Sequence, residues 1–317
     1  MSVLDNAIDA IEAGFEDFTE GSQRRLKSAV RNVHAGLLLI FKHKLIELSP
    51  PGSDDLLIRE KLVPILSSSG QVEFRGTGNK TVDVQSIKER FKSLGVTVDW
   101  KDFDEINRIR NELEHHYTKA TIQQIKEVLA KAFSVATKFV AKNFANLDLR
   151  EKLSRSTWEG LLEIKTVYDA ELEKCKQSWR EFDHVSEYVL DHVESFSCPN
   201  CCSDLMLFTK ACDEPHACCR SCGETLGNEK IAIAIVAEPG GSSAYSAIKD
   251  GGTQEITDCP ECGEFAFIMS EGYCVSCECE LSTECKRCGA DIIAEEMSDT
   301  GYCGWCDHMR EKMMNED

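Results

Sequence analysis

The chain has 317 residues, 17 of them cysteine, and a net charge of −19. It contains no run of about 18 apolar residues, which argues against a membrane-spanning helix. Its opening, MSVLDNAIDAIEAGFEDF, lacks the basic start of a secretory leader. A reducing, cytoplasmic setting is therefore expected, with the cysteines serving as metal thiolates rather than disulfides. The acidity is uneven: residues 197–317 carry 8 Lys and Arg against 23 Asp and Glu, and the remainder carries 28 against 32. An anionic tail repels a phosphate backbone.

In chain order, residues 3–18 put Leu4, Ile8, Ile11 and Phe15 on one face of an expected helix. Residues 22–48 do the same with Leu26, Ala29, Val30, Val33, Leu37, Leu38, Phe41 and Leu45, and Ser49-Pro50-Pro51-Gly52 stops that second helix. Basic side chains cluster at Arg24, Arg25, Lys27 and Arg31, and at Lys42 and Lys44. VEFRGTGNKTVDV reads as a short β-hairpin turning at Gly78-Asn79, and VQSIKERFKSLG as a helix ended by Gly95. A helix then covers DWKDFDEINRIRNELEHHY, with Phe103, Ile106, Ile109 and Leu113 facing a core. Thr121 to Gln124 form a capping box that opens another helix, with the stripe Ile122, Ile125, Val128, Leu129, Ala132, Ala136, Phe139, Val140 and Phe144. Residues 157–196 read as a helical arm. Tyr168, Leu172, Cys175, Trp179, Phe182, Val185, Val189 and Val193 give it a 4-3 spacing suited to packing along the bundle or along a second protomer.

The region from 197 onward is organised by Cys-x-x-Cys pairs. Cys198/Cys201 with Cys219/Cys222, Cys259/Cys262 with Cys274/Cys277, and Cys285/Cys288 with Cys303/Cys306 make three sets of four, separated internally by 17, 11 and 14 residues. Such spacing points to zinc ribbons. The first set is crowded by Cys202, Cys212, His216 and Cys218, which offer alternative ligands. Cys279 has no assigned partner, and Cys175 reads as a small buried residue of the arm. Four ligands per site leave no open coordination position, so the zinc, about three ions per chain, is expected to be structural and not catalytic. IAIAIVAEPGGSSAYSAIKDGG reads as a strand running into a flexible connection.

The fold expected is mainly α. Residues 1–150 form a helical bundle with a small β insertion, 151–196 the arm, 197–240 a first ribbon, 241–257 a linker, and 258–317 the second and third ribbons. The acidic tail suits a protein partner or trigger, or a cover over the basic helix at Arg24–Arg31 that keeps RNA out.

The chemistry is concentrated in the stretch Arg110-Asn111-Glu112-Leu113-Glu114-His115-His116-Tyr117. Arg110 and Glu114 share one stripe at i, i+4, and Asn111 and His115 share the next. Metal-free RNA cleavage needs a base for the 2′-hydroxyl, a cation for the phosphorane charge and an acid for the 5′ oxygen; histidine and arginine supply these. The plain alternative is a solvated helix end, with an ion pair and histidines near the negative pole of the helix dipole. His34, His43, His184, His192 and His308 stand singly and read as surface or core residues.

Arg110, Asn111 and His115, in the form R-N-x3-H, set in a helical hairpin–insertion–helix order, resemble the HEPN family over roughly residues 3–147. SAVRNVHAGLLLIFKHKL resembles that family's second helix, and Tyr117 extends the match to R-x4-H-x-Y. The resemblance implies a metal-independent endoribonuclease acting as a homodimer, with Arg110 and His115 of both protomers lining one cleft, Asn111 in support and His116 as second choice for the histidine role. It further implies an antiphage-defence or toxin setting in which RNA cleavage stops translation. The competing expectation is a non-catalytic scaffold that binds nucleotide or protein.

Overall fold

The structure is a computed structural model that describes residues 2–53, 55–67, 70–115, 121–210, 215–237, 255–292 and 300–315; of His115 it describes the backbone alone. The chain divides into two compact units, Met1–Ala170 and Glu171–Asp317. The boundary falls inside a helix rather than at residue 150 or 197.

The first unit is helical. α1 (Val3–Glu20) is opened by a capping box between Ser2 and Asp5 and closed by Gly21 in the left-handed region. It packs against α2 (Gln23–Glu47) at close range. A Cβ on Gly14 would sit 2.6 Å from Val33 Cγ2, and one on Gly36 2.6 Å from Ile11 Cγ1. Glycine is what allows the two backbones to approach. Buried Asp17 of α1 pairs with Arg25 at 2.6 Å and accepts a hydrogen bond from Asn32 Nδ2 at 2.9 Å.

The β insertion is an antiparallel hairpin of β1 (Arg59–Leu66) and β2 (Val72–Thr81). The two strands close on each other beyond Leu66 rather than at Gly78-Asn79. The Ser67 N–H donates to the Gln71 carbonyl at 2.8 Å, and Gly70 adopts φ 77°. Gly78, at φ 79°, instead belongs to an irregularity where Arg59 pairs Thr81 but Lys61 pairs Thr77. Gly-Asn reads as a turn within a short window; the apolar segment KLVPIL upstream decides otherwise, because it offers β2 a full-length partner.

α3 (Val84–Ser93), α4 (Trp100–His115) and α5 (Ile122–Asn143) complete the bundle, and Asp83 and the Thr121–Gln124 box cap α3 and α5. Phe41, Phe91, Phe103 and Phe139 meet at the centre, with Phe41 edge-on to Phe139 at 4.7 Å. Beside this apolar core sits a buried charge cluster. Lys131 of α5 bonds Glu105 of α4 and lies 3.1 Å from Glu127, all three at most 9% exposed.

Short α6 (Leu149–Lys152) leads into α7 (Arg155–Ser178). The expected arm over 157–196 is not one helix. A 3-10 turn at Trp179–Glu181 ends it, extended chain follows, and Ser186 caps α8 (Glu187–His192). Val185 is 78% exposed, so the 4-3 stripe breaks there. The physical reason is Trp179. Its Nε1–H donates to the Met206 carbonyl at 2.8 Å and its ring packs on Phe182, Phe196 and Phe208, which pulls the chain out of helix and into the core of the second unit.

That unit holds two three-stranded antiparallel sheets. One is β3 (Met206–Thr209), β4 (His216–Cys219) and β5 (Thr225–Gly227); the other is β6 (Ile256–Asp258), β7 (Phe265–Ile268) and β8 (Tyr273–Cys274). Residues 228–237 form α9, not the expected strand, because Ile231, Ala232, Ile235 and Val236 bury one helical face. The linker expected at 241–257 lies almost wholly outside the described residues. α10 (Gly304–Asn315) ends the described chain. Among the described residues no helix is long and apolar enough to cross a membrane.

Candidate functional site

Two features carry chemistry, one in each unit. In the second unit the cysteines sit on a recurrent turn. At Cys198, Cys219, Cys259, Cys274 and Cys285, the N–H donates to the carbonyl of the residue two beyond the paired cysteine, and the carbonyl accepts from the residue one beyond it. That latter residue has positive φ every time: Cys202, Gly223, Gly263, Glu278 and Gly289. Glycine suits this position, since an L side chain there is strained. Cys202 and Glu278 are the exceptions, and also the non-glycine residues with positive φ among those described. The sixth pair, Cys303/Cys306, differs. The Cys303 carbonyl accepts from Asp307 at the start of α10, so the third centre combines a turn with a helix instead of a β-ribbon.

The turns gather three groups of four thiols: Cys198, Cys201, Cys219 and Cys222; Cys259, Cys274, Cys277 and Cys279; and Cys285, Cys288, Cys303 and Cys306. Within each group the sulfurs lie within 4.8 Å of one another. A tetrahedron of sulfurs about 2.3 Å from one ion has edges of about 3.8 Å. The contacts match that edge: Cys198–Cys222 at 3.7 Å, Cys201–Cys219 at 3.6 Å, Cys259–Cys277 at 3.7 Å and Cys288–Cys303 at 3.8 Å. They are far outside disulfide length. All three groups could hold a metal ion, and an all-thiolate, four-coordinate donor set fits the structural zinc expected. In the first group, hydrogen bonds from Cys198 and Cys201 hold the Cys219 thiol well below the ordinary thiol range.

The first and third groups are the sets expected from spacing. The second is not. Cys279 takes the place expected for Cys262 and lies 3.5 Å from Cys259, while Cys262 lies 3.8 Å from Cys274. Of the alternative ligands at the first group, Cys202, His216 and Cys218 lie outside it, and Cys212 is outside the described residues.

In the first unit the polar strip lies at the C-terminal end of α4. Arg110 donates to Asn111 Oδ1 at 2.9 Å and pairs with Glu114 Oε2 at 2.9 Å; Glu114 Oε1 is in turn 3.2 Å from Arg31 Nε of α2. The Arg110 side chain is 33% exposed. One helical turn separates Arg110 from Glu114, so the ion pair follows directly from the i, i+4 spacing. His115 continues the helix; its side chain, His116 and Tyr117 lie outside the described residues.

Sequence reasoning passed over His34. This residue of α2 is 5% exposed and stacks on Phe103 at 5.6 Å. Burial first, and the Arg110 charge second, push it down to about 4, against a hydrogen bond to Asn107. Its Nε2 has no hydrogen-bond partner among the described residues. A neutral imidazole therefore lies beside the motif arginine. The available signal was its place one turn after Arg31 on the face that meets α4. Arg25 and Arg31, expected to be open to RNA or to the acidic tail, are already paired within this unit, with Asp17 and Glu20 and with Glu114 respectively.

No protein-family model, curated protein or solved structure matches this chain.

Proposed function

We propose that the chain is a metal-independent endoribonuclease of HEPN type whose second unit is a structural zinc module. The observation that carries the reading is the posture of Arg110. Its guanidinium is one-third exposed yet held on two sides, by Asn111 and by Glu114, itself anchored across the helix pair by Arg31. A cation fixed before substrate arrives loses little freedom on gripping a phosphate, and His115 follows about 1.4 turns later on the same helix. Cleavage by transesterification needs both an acid and a base, so two protomers are required to bring two copies of His115 to one phosphodiester. Arg110 steadies the phosphorane charge. His115 takes the 2′-hydroxyl proton in one protomer and, in the other, protonates the departing 5′ oxygen. RNA is the substrate, and a defence or toxin role is the setting such an activity suits. The acidic zinc module would serve as sensor, brake or partner-docking surface.

The decisive experiment is incubation of the full chain with RNA in EDTA. Residues 1–170 contain no cysteine, so chelation does not reach the first unit's fold. New ends bearing 2′,3′-cyclic phosphate, lost in Arg110→Ala and in His115→Ala, are expected.

One observation favours a second reading. The Arg110 fork is already satisfied within its own helix end, as it would be in a non-catalytic scaffold. On that reading neither variant changes any RNA, and the unit binds a nucleotide or protein partner instead.

A further inference from the structure

The second metal centre brings five cysteines to a position that holds four. Two independent observations nominate different occupants. Cys262 closes the Cys259 turn, which has the same pair of backbone bonds and the same left-handed glycine as the turns ending in Cys222 and Cys288, both members of their groups. By local geometry Cys262 is built as a ligand. By sulfur positions Cys279 is the fourth member. It reaches the centre because the Cys274 turn closes on its carbonyl at 3.0 Å, which brings its own side chain to within 3.5 Å of Cys259. Cys262 stays within 3.8 Å of Cys274.

We propose that this centre is a ligand-exchange and thiol-modification site, in which Cys262 and Cys279 share one coordination position on a zinc ion that Cys259, Cys274 and Cys277 hold permanently. A four-coordinate ion cannot take both sulfurs. Exchange forms one Zn–S bond as the other breaks; the incoming thiol gives up its proton and the departing thiolate gains one, so the site's charge is unchanged. The sulfur left over stays beside the ion. When it belongs to Cys262 it is a solvent-exposed thiol, open to soft electrophiles once it loses its proton, and its modification does not cost the protein its metal. This differs from a closed structural centre, where every sulfur is masked and alkylation must follow metal loss.

The test uses the zinc-loaded full chain, native mass spectrometry for the zinc count, and iodoacetamide with peptide mapping for the free thiol. Alkylation forms an S–C bond and releases iodide. The wild type is expected to carry three zinc ions and to be alkylated at Cys262 with all of them retained. Cys262→Ser and Cys279→Ser are each expected to keep the full count, and the double variant to lose one ion. In Cys279→Ser, Cys262 is committed to the metal and its alkylation slows by about tenfold or more. Loss of a zinc ion in either single variant would overturn the proposal, as would unchanged alkylation of Cys262 in Cys279→Ser. A wild type in which Cys262 resists iodoacetamide until the metal is stripped overturns it without any variant. None of these outcomes depends on ribonuclease activity.

Discussion

The two units reach stability by opposite routes. Residues 1–170 contain no cysteine and fold around large apolar side chains on long helices, with four phenylalanines at the centre. The second unit has strands of two to four residues, too short to be stable as isolated sheets, and cysteines stand among its most buried residues. The first unit pays conformational entropy with buried area. The second gathers its turns around three groups of four thiols that could hold an ion, and such an ion would cross-link them only once the thiols deprotonate. The polar functions divide the same way. In the first unit charged groups are paired and positioned by helix packing, whereas in the second thiols are clustered by backbone turns.

The largest effect that separates the units is metal removal. A structural zinc site contributes on the order of 10 kcal/mol to a small domain, so a strong chelator is expected to open residues 171–317 to protease while 1–170 stays protected. Limited proteolysis read by mass spectrometry checks this, and equal protection of both units after metal loss would break the comparison.

The second effect lies in the buried charges of the first unit. Lys131→Met leaves Glu105 and Glu127 as two buried carboxylates without their cation, a change worth about 3–5 kcal/mol. The first unit's unfolding midpoint in urea should fall accordingly, with the zinc count untouched.

The smallest is a pH effect at His34. Its folded pKa of about 4 lies below its ordinary value of 6.5, so the unfolded chain binds the extra proton between those values. Stability is full above about 6.5 and declines as pH falls toward 4, by about 3 kcal/mol at most. An NMR titration of the His34 ring in the full chain should give a midpoint well below 6. A midpoint near 6.5 would mean that the ring is solvated and the α2–α4 contact is looser than described.

Much of the first unit was legible from periodicity. The stripes of α1, α2, α4 and α5 and the Thr121 capping box occur where the spacing puts them, apart from Ile122, which is 54% exposed at the start of α5, because helix register and capping depend on residues three or four positions apart. The hairpin turn, the break at Trp179 and the helix at 228–237 were misread. In each, a short window supports one local structure, and a partner elsewhere in the chain selects another. For the polar strip, the Arg110–Glu114 pair follows from i, i+4 spacing, but the anchoring Arg31 and the neutral His34 come from α2, some 80 residues away in sequence, about where no pattern rule reaches.

By itself the sequence determined that this protein has a helical half and an acidic half organised by Cys-x-x-Cys pairs. Both are short-range matters of side-chain period and of cysteine spacing. Only the tertiary structure decided which four sulfurs of the second centre converge, and which buried groups face Arg110 and Lys131. Those choices belong to contacts between segments distant in the chain, and a distance in space is not written in a spacing along it.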